Sequence, residues 1–406
     1  MDELAKAAAL DLSAGNPLGA LSKISLREDP PCLAMRGIAM AQLGQFEIAR
    51  PLLRRAANAF GSENRIAQAR CVVADAEIAL VLRDLDADGK VLDGAVKVLE
   101  EMGDHVNAAH ARYLAIRRQI LIGHLNDAER ALDLLDPTQL PPALKSAHAL
   151  VSATLGLRRV RAIQAKKDLI EAEKYALIAR IPALLAEVEG VRSNLDRHVA
   201  RLIDRGDESL LKLEDIERVL ASGALVVDAC RRAVHDGTTT IALAARPVLF
   251  ELARALGEAW PEDVSREGLV KRAFELPLED DLDRLRLRVE IGRLRTLLQP
   301  LADVVATKIG FALVPRSAIE VVVLALPTEE KHADVLALLA DGESWSSSAL
   351  ALALDAGQRT VQRALEALAA EGKIQAVGGG RGRRWMTPPV LGFATSLLLP
   401  GALPGD

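Results

Sequence analysis

Aromatic side chains are scarce in this sequence, making up 3% of its 406 residues, although half of the residues are hydrophobic. Alanine and leucine dominate the apolar content. Sheets favour aromatic and β-branched residues, whereas alanine and leucine have high helix propensities. The composition therefore predicts stacked helices, a mainly α protein with little β structure. A chain of this length has room for roughly two to four domains.

Cysteine is rare too. Cys32, Cys71 and Cys230 lie far apart in the sequence, and there is neither a Cys-x-x-Cys motif nor a Cys/His cluster with metal-ligand spacing. We expect each to be a buried thiol. His105 and His110 are five residues apart, which is a poor spacing for one helix face. No nucleophile–base pair, carboxylate pair or phosphate-binding loop is evident. We therefore expect no catalytic site, no metal and no cofactor.

The sequence also lacks long hydrophobic runs and an excess of positive charge. No apolar segment reaches the roughly 18–20 residues of a membrane-spanning helix, and no basic region precedes an apolar run at the N-terminus. We expect a cytoplasmic protein without membrane contact. Because the net charge is −5, any contact with DNA must come from local basic patches.

Small residues recur between Ala34 and Gly61 at spacings typical of paired helices. They are Gly37, Gly44, Ala49 and Ala56, and Phe46 belongs to the same pattern. Small side chains there would let two antiparallel helices approach closely, with the phenylalanine filling the space at the turn. This pattern resembles the tetratricopeptide repeat family, and part of it recurs in residues 111–135. The resemblance implies an α-solenoid over residues 1–222 that binds a protein or peptide. A generic stack of helical hairpins is the alternative.

Helical periodicity continues towards the end of this region. Pro182 begins or kinks a predicted helix that runs through Asp204 and ends at Gly206-Asp207. One more short helix is predicted at Leu213–Leu220. The pattern then changes from helical to alternating periodicity near Ala224, so we expect a hinge at Gly206–Gly223 and a domain boundary after residue 222.

Short β-type runs and two helices follow the boundary. The runs are Ala224–Ala229, Arg231–His235 and Thr238–Leu243. Asp236-Gly237 is a two-residue hairpin signal between the second and third of them. Of the helices, one begins with Pro247 at its first position and the next is capped by Ser265.

A longer helix is predicted from Leu282 to Pro300, with one apolar stripe formed by Leu287, Ile291, Leu294 and Leu298. The opposite face mixes cations with small groups and supplies four candidate DNA contacts: Arg286, Val289, Arg293 and Thr296. An extended ribbon, Asp303–Ala306 and Gly310–Val314, turns through residues 307–310, where Thr307 and Lys308 are further candidates. The alternative is that the arginines solvate the helix and pair with Glu290 or Asp283.

Three strands, three helices and a hairpin, in that order, resemble the OmpR/PhoB-type winged-helix DNA-binding family. The residues that carry this resemblance are Arg293–Pro300 and the pattern Thr307-x-x-Gly310-Phe311-x-Leu313. It implies a domain over residues 223–316 whose third helix reads the major groove of double-stranded DNA. The hairpin, called the wing in this family, would contact phosphate or the minor groove.

Residues 317–406 are predicted to form a second such domain. The expected elements are a buried strand at Ala318–Leu326, helices at Lys331–Ala340, Ala349–Leu354 and Gln358–Glu371, and a strand at Ile374–Val377. On the last helix, Val361, Leu365 and Leu368 form the core stripe. The candidate DNA contacts are Arg359, Thr360, Gln362 and Arg363 on that helix, and Arg381, Arg383 and Arg384 in a glycine-rich wing. The segment resembles the generic bacterial winged helix-turn-helix.

These resemblances imply a one-component, sequence-specific transcriptional regulator in which helical repeats sense a protein, peptide or small molecule and two winged helices bind DNA. The alternative is a protein-interaction scaffold whose winged helices bind proteins, which the net acidity and Glu290 on the first reading helix favour. An enzyme ranks third. We leave open a homodimer, the operator and the sign of regulation.

Overall fold

The computed structural model describes residues 3–82, 84, 89–243, 246–274, 281–327, 332–339, 345–354, 356–377 and 383–386. Its secondary structure is mainly helical with a small sheet content, as the composition predicts. The chain divides into two compact units. One, here the helical unit, comprises Met1–Arg159, Ile163–Ser193 and Asp334–Asp406; the other, the sheet unit, comprises Val160–Ala162 and Asn194–Ala333.

The N-terminal part of the helical unit is a series of helices. They are α1 (Glu3–Ser13), α2 (Pro17–Ile24), α3 (Pro30–Gln42), α4 (Phe46–Phe60), α5 (Arg65–Val81), α6 (Gly89–Glu101), α7 (His105–Leu121), α8 (Leu125–Asp133), α9 (Pro142–Arg158), α10 (Ala162–Ala179) and α11 (Pro182–Leu195). From α1 to α9, each helix packs against the next one along the chain.

The small residues that suggest repeats lie where α3 and α4 meet. Ala34, Ala49 and Ala56 are fully buried. A Cβ atom on Gly37 would come within 2.7 Å of the Leu53 side chain, so only glycine allows this approach of the two helices. Gly44, in the turn between them, has a φ of +74°, a conformation that glycine adopts without strain.

The predicted helix through Asp204 is wrong. α11 ends at Leu195, and β1 (His198–Asp204) turns back into the antiparallel strand β2 (Asp207–Lys212) through Arg205-Gly206. A short, mostly apolar segment such as Val199–Ile203 fits helix and strand alike, so pairing partners decide its conformation. The helix predicted at Leu213–Leu220 is confirmed as α12 (Leu213–Ala221).

A six-stranded sheet organises the sheet unit. Besides β1 and β2 it contains β3 (Leu225–Asp228), β4 (Ala233–His235), β5 (Thr240–Ala242) and β9 (Val321–Ala325), in the order β2-β1-β9-β3-β4-β5. The predicted hairpin between β4 and β5 is confirmed, but pairing of His235 with Thr240 leaves a four-residue loop instead of a two-residue one. Asp236 accepts hydrogen bonds from the backbone N–H groups of Thr238 and Thr239 in that loop.

The sheet changes both predicted domain boundaries. The buried strand expected near Ala318–Leu326 is β9, and all five of its residues are buried. It pairs in parallel with β3 and antiparallel with β1, so it belongs to the sheet unit and not to a C-terminal domain that begins at residue 317. β1, β2 and α12 also lie in this unit, although they precede the expected hinge.

One face of the sheet carries a layer of helices and a smaller sheet. The remaining elements of the unit are α13 (Pro247–Glu258), β6 (Val264–Ser265), α14 (Arg266–Phe274), α15 (Asp281–Leu298), β7 (Ala302–Ala306) and β8 (Gly310–Pro315). β6, β8 and β7 form a three-stranded sheet in that order. A Cβ on Gly257 of α13 would lie 3.0 Å from Val227 and 3.1 Å from Val323, which shows how closely α13 packs on the large sheet.

The C-terminal segment contains α16 (Ala333–Leu339), α17 (Ser347–Ala353), α18 (Gln358–Ala370), β10 (Gln375–Val377) and the antiparallel strand β11 (Arg384–Met386). These positions match the predicted elements within the described residues. Trp345 forms an isolated bridge with Trp385, which ties the chain before α17 to β11. The buried apolar residues of this segment share one hydrophobic cluster with part of the buried faces of α5, α6 and α7.

Candidate nucleic-acid interface

The predicted apolar stripe fixes the orientation of α15. Leu287, Ile291, Leu294 and Leu298 are at most 2% exposed and lie in the main core of the sheet unit. α14 precedes this helix, and the side chain of Ser265 accepts a hydrogen bond from the N–H of Gly268 at 3.1 Å, as the predicted cap requires. The opposite face of α15 is therefore turned to solvent.

The hairpin of β7 and β8 is held against the start of α14. Arg266 donates hydrogen bonds to the carbonyl oxygens of Thr307 (3.3 Å) and Lys308 (3.2 Å). The N–H of Gly310 donates to the Thr307 hydroxyl at 2.9 Å. The Thr307 side chain therefore stabilises the turn, and the Lys308 side chain is exposed to solvent.

An ion pair closes the other end of the same hairpin. Arg316 donates two hydrogen bonds to Asp303, the shorter at 2.7 Å. The hydrogen bond from this guanidinium lowers the pKa of the Asp303 carboxyl below its usual value. The turn is thus supported at both ends, and Lys308 projects from a braced hairpin.

On the solvent face of α15, the predicted contacts Val289, Arg293 and Thr296 are all exposed. The Arg293 guanidinium donates to Glu290 at 2.8 Å, so part of its charge is compensated. The Thr296 hydroxyl donates to the carbonyl of Gly292 at 3.1 Å, one turn earlier. The Arg293 side chain is 64% exposed in spite of this ion pair, so its cation is accessible on this face.

Arg286 has a different environment from the one predicted. Its guanidinium carbon lies 4.1 Å from the centroid of the Phe274 ring, at the end of α14. The same side chain lines a cavity of about 780 Å³ together with Arg272 and Arg254. A cation–π contact with a neighbouring helix holds this arginine, so packing accounts for its position.

Arg288 is an arginine of α15 that was not among the contacts predicted from the sequence. It is exposed, and within the part of the chain that the structure describes it has no hydrogen-bond or ion-pair partner. It lies four residues before Gly292, where a Cβ atom would meet nothing within 4 Å. The missed signal was helical geometry, because residues 285, 288, 289, 292 and 296 share one side of a helix.

A second exposed polar face lies on α18. Val361, Leu365 and Leu368 are buried, as predicted. The predicted contacts on the opposite face are all exposed, and none has a hydrogen bond or ion pair involving its side chain among the described residues: Arg359, Thr360, Gln362 and Arg363. The structure thus brings all four together in the first two turns of this helix.

The predicted second wing is only partly described. Arg381 lies outside the described residues. Arg383 is exposed, with its guanidinium carbon 4.3 Å from the centroid of the Trp385 ring. Arg384 is turned towards Asp84, which follows α5, with 3.8 Å between their charged atoms. This ion pair lies within the helical unit and removes Arg384 from the outward face that the sequence predicts.

No family model, curated protein or solved structure matches the chain. In the described ranges, no group of histidine, cysteine and acidic side chains is arranged to hold a metal ion. None of the helices described combines the length and the apolar character that are needed to cross a bilayer. What can be inferred about function therefore depends on the residues themselves.

Proposed function

We propose that this protein is a sequence-specific DNA-binding transcriptional regulator of the one-component type. In this proposal α1–α11 form a tetratricopeptide-like α-solenoid, and two winged helices bind double-stranded DNA. One is built from α13, β6, α14, α15, β7 and β8, and the other from α16–α18, β10 and β11. The tetratricopeptide-like and OmpR/PhoB-type resemblances remain part of this proposal.

The observation that carries the proposal is the repetition of one arrangement. In both places a short capped helix precedes a helix that is buried along one apolar stripe, and an antiparallel pair of strands follows. In both places the outward face of the second helix exposes arginines, Arg288 and Arg293 on α15 and Arg359 and Arg363 on α18. Such a helix can enter the major groove, while the strand pair contacts the backbone.

The distribution of charge is consistent with local contacts to DNA. Although the chain as a whole carries a net charge of −5, Arg359 and Arg363 extend freely from α18 in the described structure. Arginine can donate two hydrogen bonds to guanine, whereas glutamine can donate one to N7 of adenine and accept one from its N6 amino group. α18 therefore presents the side-chain chemistry of base reading, with Gln362 between the two arginines.

The proposal is tested by selecting bound fragments from a random double-stranded library with the full chain, then measuring affinity at two salt concentrations. We expect one enriched motif, and an affinity that falls steeply with salt because phosphate contacts release counterions. Arg363→Ala should cost about 1–3 kcal/mol at one base position if it chelates guanine. Arg130→Ala, at an exposed arginine on α8, is the matched control.

A second pair of variants separates reading from packing on α15. Arg288→Ala should weaken DNA binding with little change in the melting temperature, whereas Arg286→Ala should lower the melting temperature through loss of its Phe274 contact. If neither an enriched motif nor salt-dependent binding is found at low salt, the scaffold function replaces the regulator. The ion pair of Glu290 with Arg293 is the observation that favours that second candidate, because it lowers the positive charge of α15.

In the same proposal the helical repeats receive the input. They would bind a protein, peptide or small molecule and change the activity of the DNA-binding elements. The protein would act in the cytoplasm without a cofactor and without catalysis.

A further inference from the structure

The outer side of α10 exposes more aliphatic surface than a solvated helix face normally does. Its inner side is formed by Ala165, Leu169, Ala172 and Ala176, all at most 2% exposed. On the outside, four large aliphatic side chains are each more than half exposed: Ile163 (51%), Ile170 (67%), Leu177 (59%) and Ile178 (56%). Such side chains usually lie in the core, and contiguous exposed apolar surface marks interaction sites.

The spacing of these residues is that of a helix-packing seam. Ile163, Ile170 and Leu177 are separated by seven residues each, which places them in line along the helix. A repeat of seven is the spacing with which one helix packs lengthwise along another. The stripe therefore matches an approaching helix better than an extended peptide, whose side chains alternate with a period of two.

Lysines accompany the apolar stripe. Lys167 and Lys174 each follow a stripe residue by four positions and are exposed. Within the described residues neither Lys167 nor Lys174 has an ion pair, and the Lys174 ammonium lies 5.1 Å from the centroid of the Tyr175 ring. The stripe is thus bordered by two cations, and no carboxylate in the described part of the chain forms an ion pair with either of them.

Two of the carboxylates on α10 accept hydrogen bonds from other residues of the helical unit. Asp168 is buried and accepts hydrogen bonds from Ser152 at 2.7 Å and Gln164 at 2.8 Å. Glu173 accepts from Arg192 of α11 at 2.6 Å. Glu171 is exposed at the flank of the stripe. The surface presented by α10 is consequently apolar in the middle and mainly basic along the edge.

We propose that α10 docks an amphipathic helix of a partner protein, one with an aliphatic residue at each heptad repeat and carboxylates beside that stripe. Seven-residue spacing selects a helix, and the unpaired lysines select an acidic one, since flanking charges set partner choice when helices pack side by side. This inference extends the input role proposed for the helical repeats. Its test uses no DNA, so its failure and the failure of DNA binding are separate outcomes.

The test measures binding of the full chain to a fluorescent synthetic helix of four heptads, with Ile or Leu at the two core positions and Glu at the flanking positions. A second peptide carries Lys in place of Glu. We expect the wild-type chain to bind the acidic peptide at least tenfold more tightly than the basic one. Lys167→Glu combined with Lys174→Glu should reverse that preference.

Ile170→Ser combined with Leu177→Ser should weaken binding of the acidic peptide at least tenfold. Both side chains are exposed, so the melting temperature and the circular dichroism spectrum should stay unchanged. The matched control is Leu26→Ser combined with Leu134→Ser, since these leucines are 94% and 81% exposed elsewhere in the same unit. The control variant should bind the acidic peptide like the wild type.

Three results would overturn the proposal. The first is equal binding of both peptides, or undiminished binding by the Ile170/Leu177 variant. The second is a wild-type chain that does not bind the peptide but self-associates in sedimentation experiments. If the Ile170/Leu177 variant then abolishes self-association, the α10 face binds a second copy of this chain. The third is binding to phosphatidylserine vesicles without peptide binding, which would assign the face to an anionic membrane surface.

Discussion

At the scale of single residues, Gly310 shows how one position can hold a hairpin in place. A Cβ atom there would lie 1.7 Å from the carbonyl oxygen of Val264, where β6 pairs with β8. Backbone cannot move aside as a flexible side chain can. We expect Gly310→Ala to destabilise the sheet unit by about 1–3 kcal/mol, the usual cost of overpacking. Thermal or urea unfolding measures this.

Gly292→Ala is the matched control for this variant. Gly292 lies on the exposed face of α15, and a Cβ atom there meets nothing within 4 Å. Alanine in a helix should therefore raise stability by about 0.5–1 kcal/mol. Equal effects of the two substitutions would contradict the close contact at Gly310.

A buried histidine should make the sheet unit sensitive to acid. Burial lowers the pKa of His235 below its usual value, and the nearby Asp228, 4.0 Å away, opposes this only in part. In the unfolded chain the imidazole takes up a proton near pH 6.5. Stability from the neutral His235 is therefore fully present above that pH and is lost as the pH falls towards the lower folded-state pKa.

We expect His235→Gln to lose less stability than the wild type between pH 7.5 and pH 5.5, by up to about 1 kcal/mol. Melting temperatures at the two pH values give the comparison. His124→Gln, at an exposed histidine on the surface of the helical unit, should behave like the wild type. An identical acid response of all three proteins would mean that His235 is protonated in the fold as well.

At the scale of elements, the two strand pairs that follow α15 and α18 differ in how their cations are held. Lys308 extends from the turn between β7 and β8, whose backbone is braced by Arg266. In the C-terminal pair, Arg383 stacks on Trp385 and stays exposed, whereas Arg384 faces Asp84. The two neighbouring arginines should consequently have separable roles.

Arg383→Ala should weaken binding to all DNA sequences alike and make the dependence of affinity on salt shallower by about one unit of slope. Arg384→Ala should leave the salt dependence unchanged and lower stability by no more than about 1 kcal/mol, since partly exposed ion pairs contribute little. Titrations at several salt concentrations, with melting curves beside them, distinguish the two. A shallower slope for Arg384→Ala would place that guanidinium on DNA.

At the scale of the whole molecule, the sheet sets the limits of the folding units. Residues 194–333 contain all six strands of the large sheet and both hydrophobic clusters on its faces. A fragment of residues 223–316, the domain expected from sequence, lacks β1, β2 and β9. It would leave β3, whose four residues are all buried, without β9, one of its two neighbours in the sheet.

We expect the fragment 194–333 to be monomeric and to unfold cooperatively, and the fragment 223–316 to aggregate or to lack a cooperative transition. Exposed apolar strand edges promote association, which explains the expected aggregation. Purification, size-exclusion chromatography and thermal unfolding of both fragments make the comparison. A shorter fragment that folds as well as the longer one would show that β9 adds little to the unit.

Local patterns carried most of the helix and hairpin predictions. The stripes of α15 and α18, the cap at Ser265, the proline at the start of α13 and the turn between β7 and β8 were all predicted within a few residues. Each of these features depends on side chains that are close together in the sequence, so a local sequence pattern is enough to predict it. The positions of the exposed residues on α18 follow from the same periodicity.

The sequence by itself determined that the protein is mainly helical, where its periodic helices lie and which face of each is apolar. Only the tertiary structure decided that residues 198–204 form a strand, that β9 joins the sheet between β1 and β3, and that Arg286 and Arg384 face Phe274 and Asp84. The physical reason is distance along the chain. A strand or a guanidinium takes its place from partners brought together by folding, and no local pattern encodes those partners.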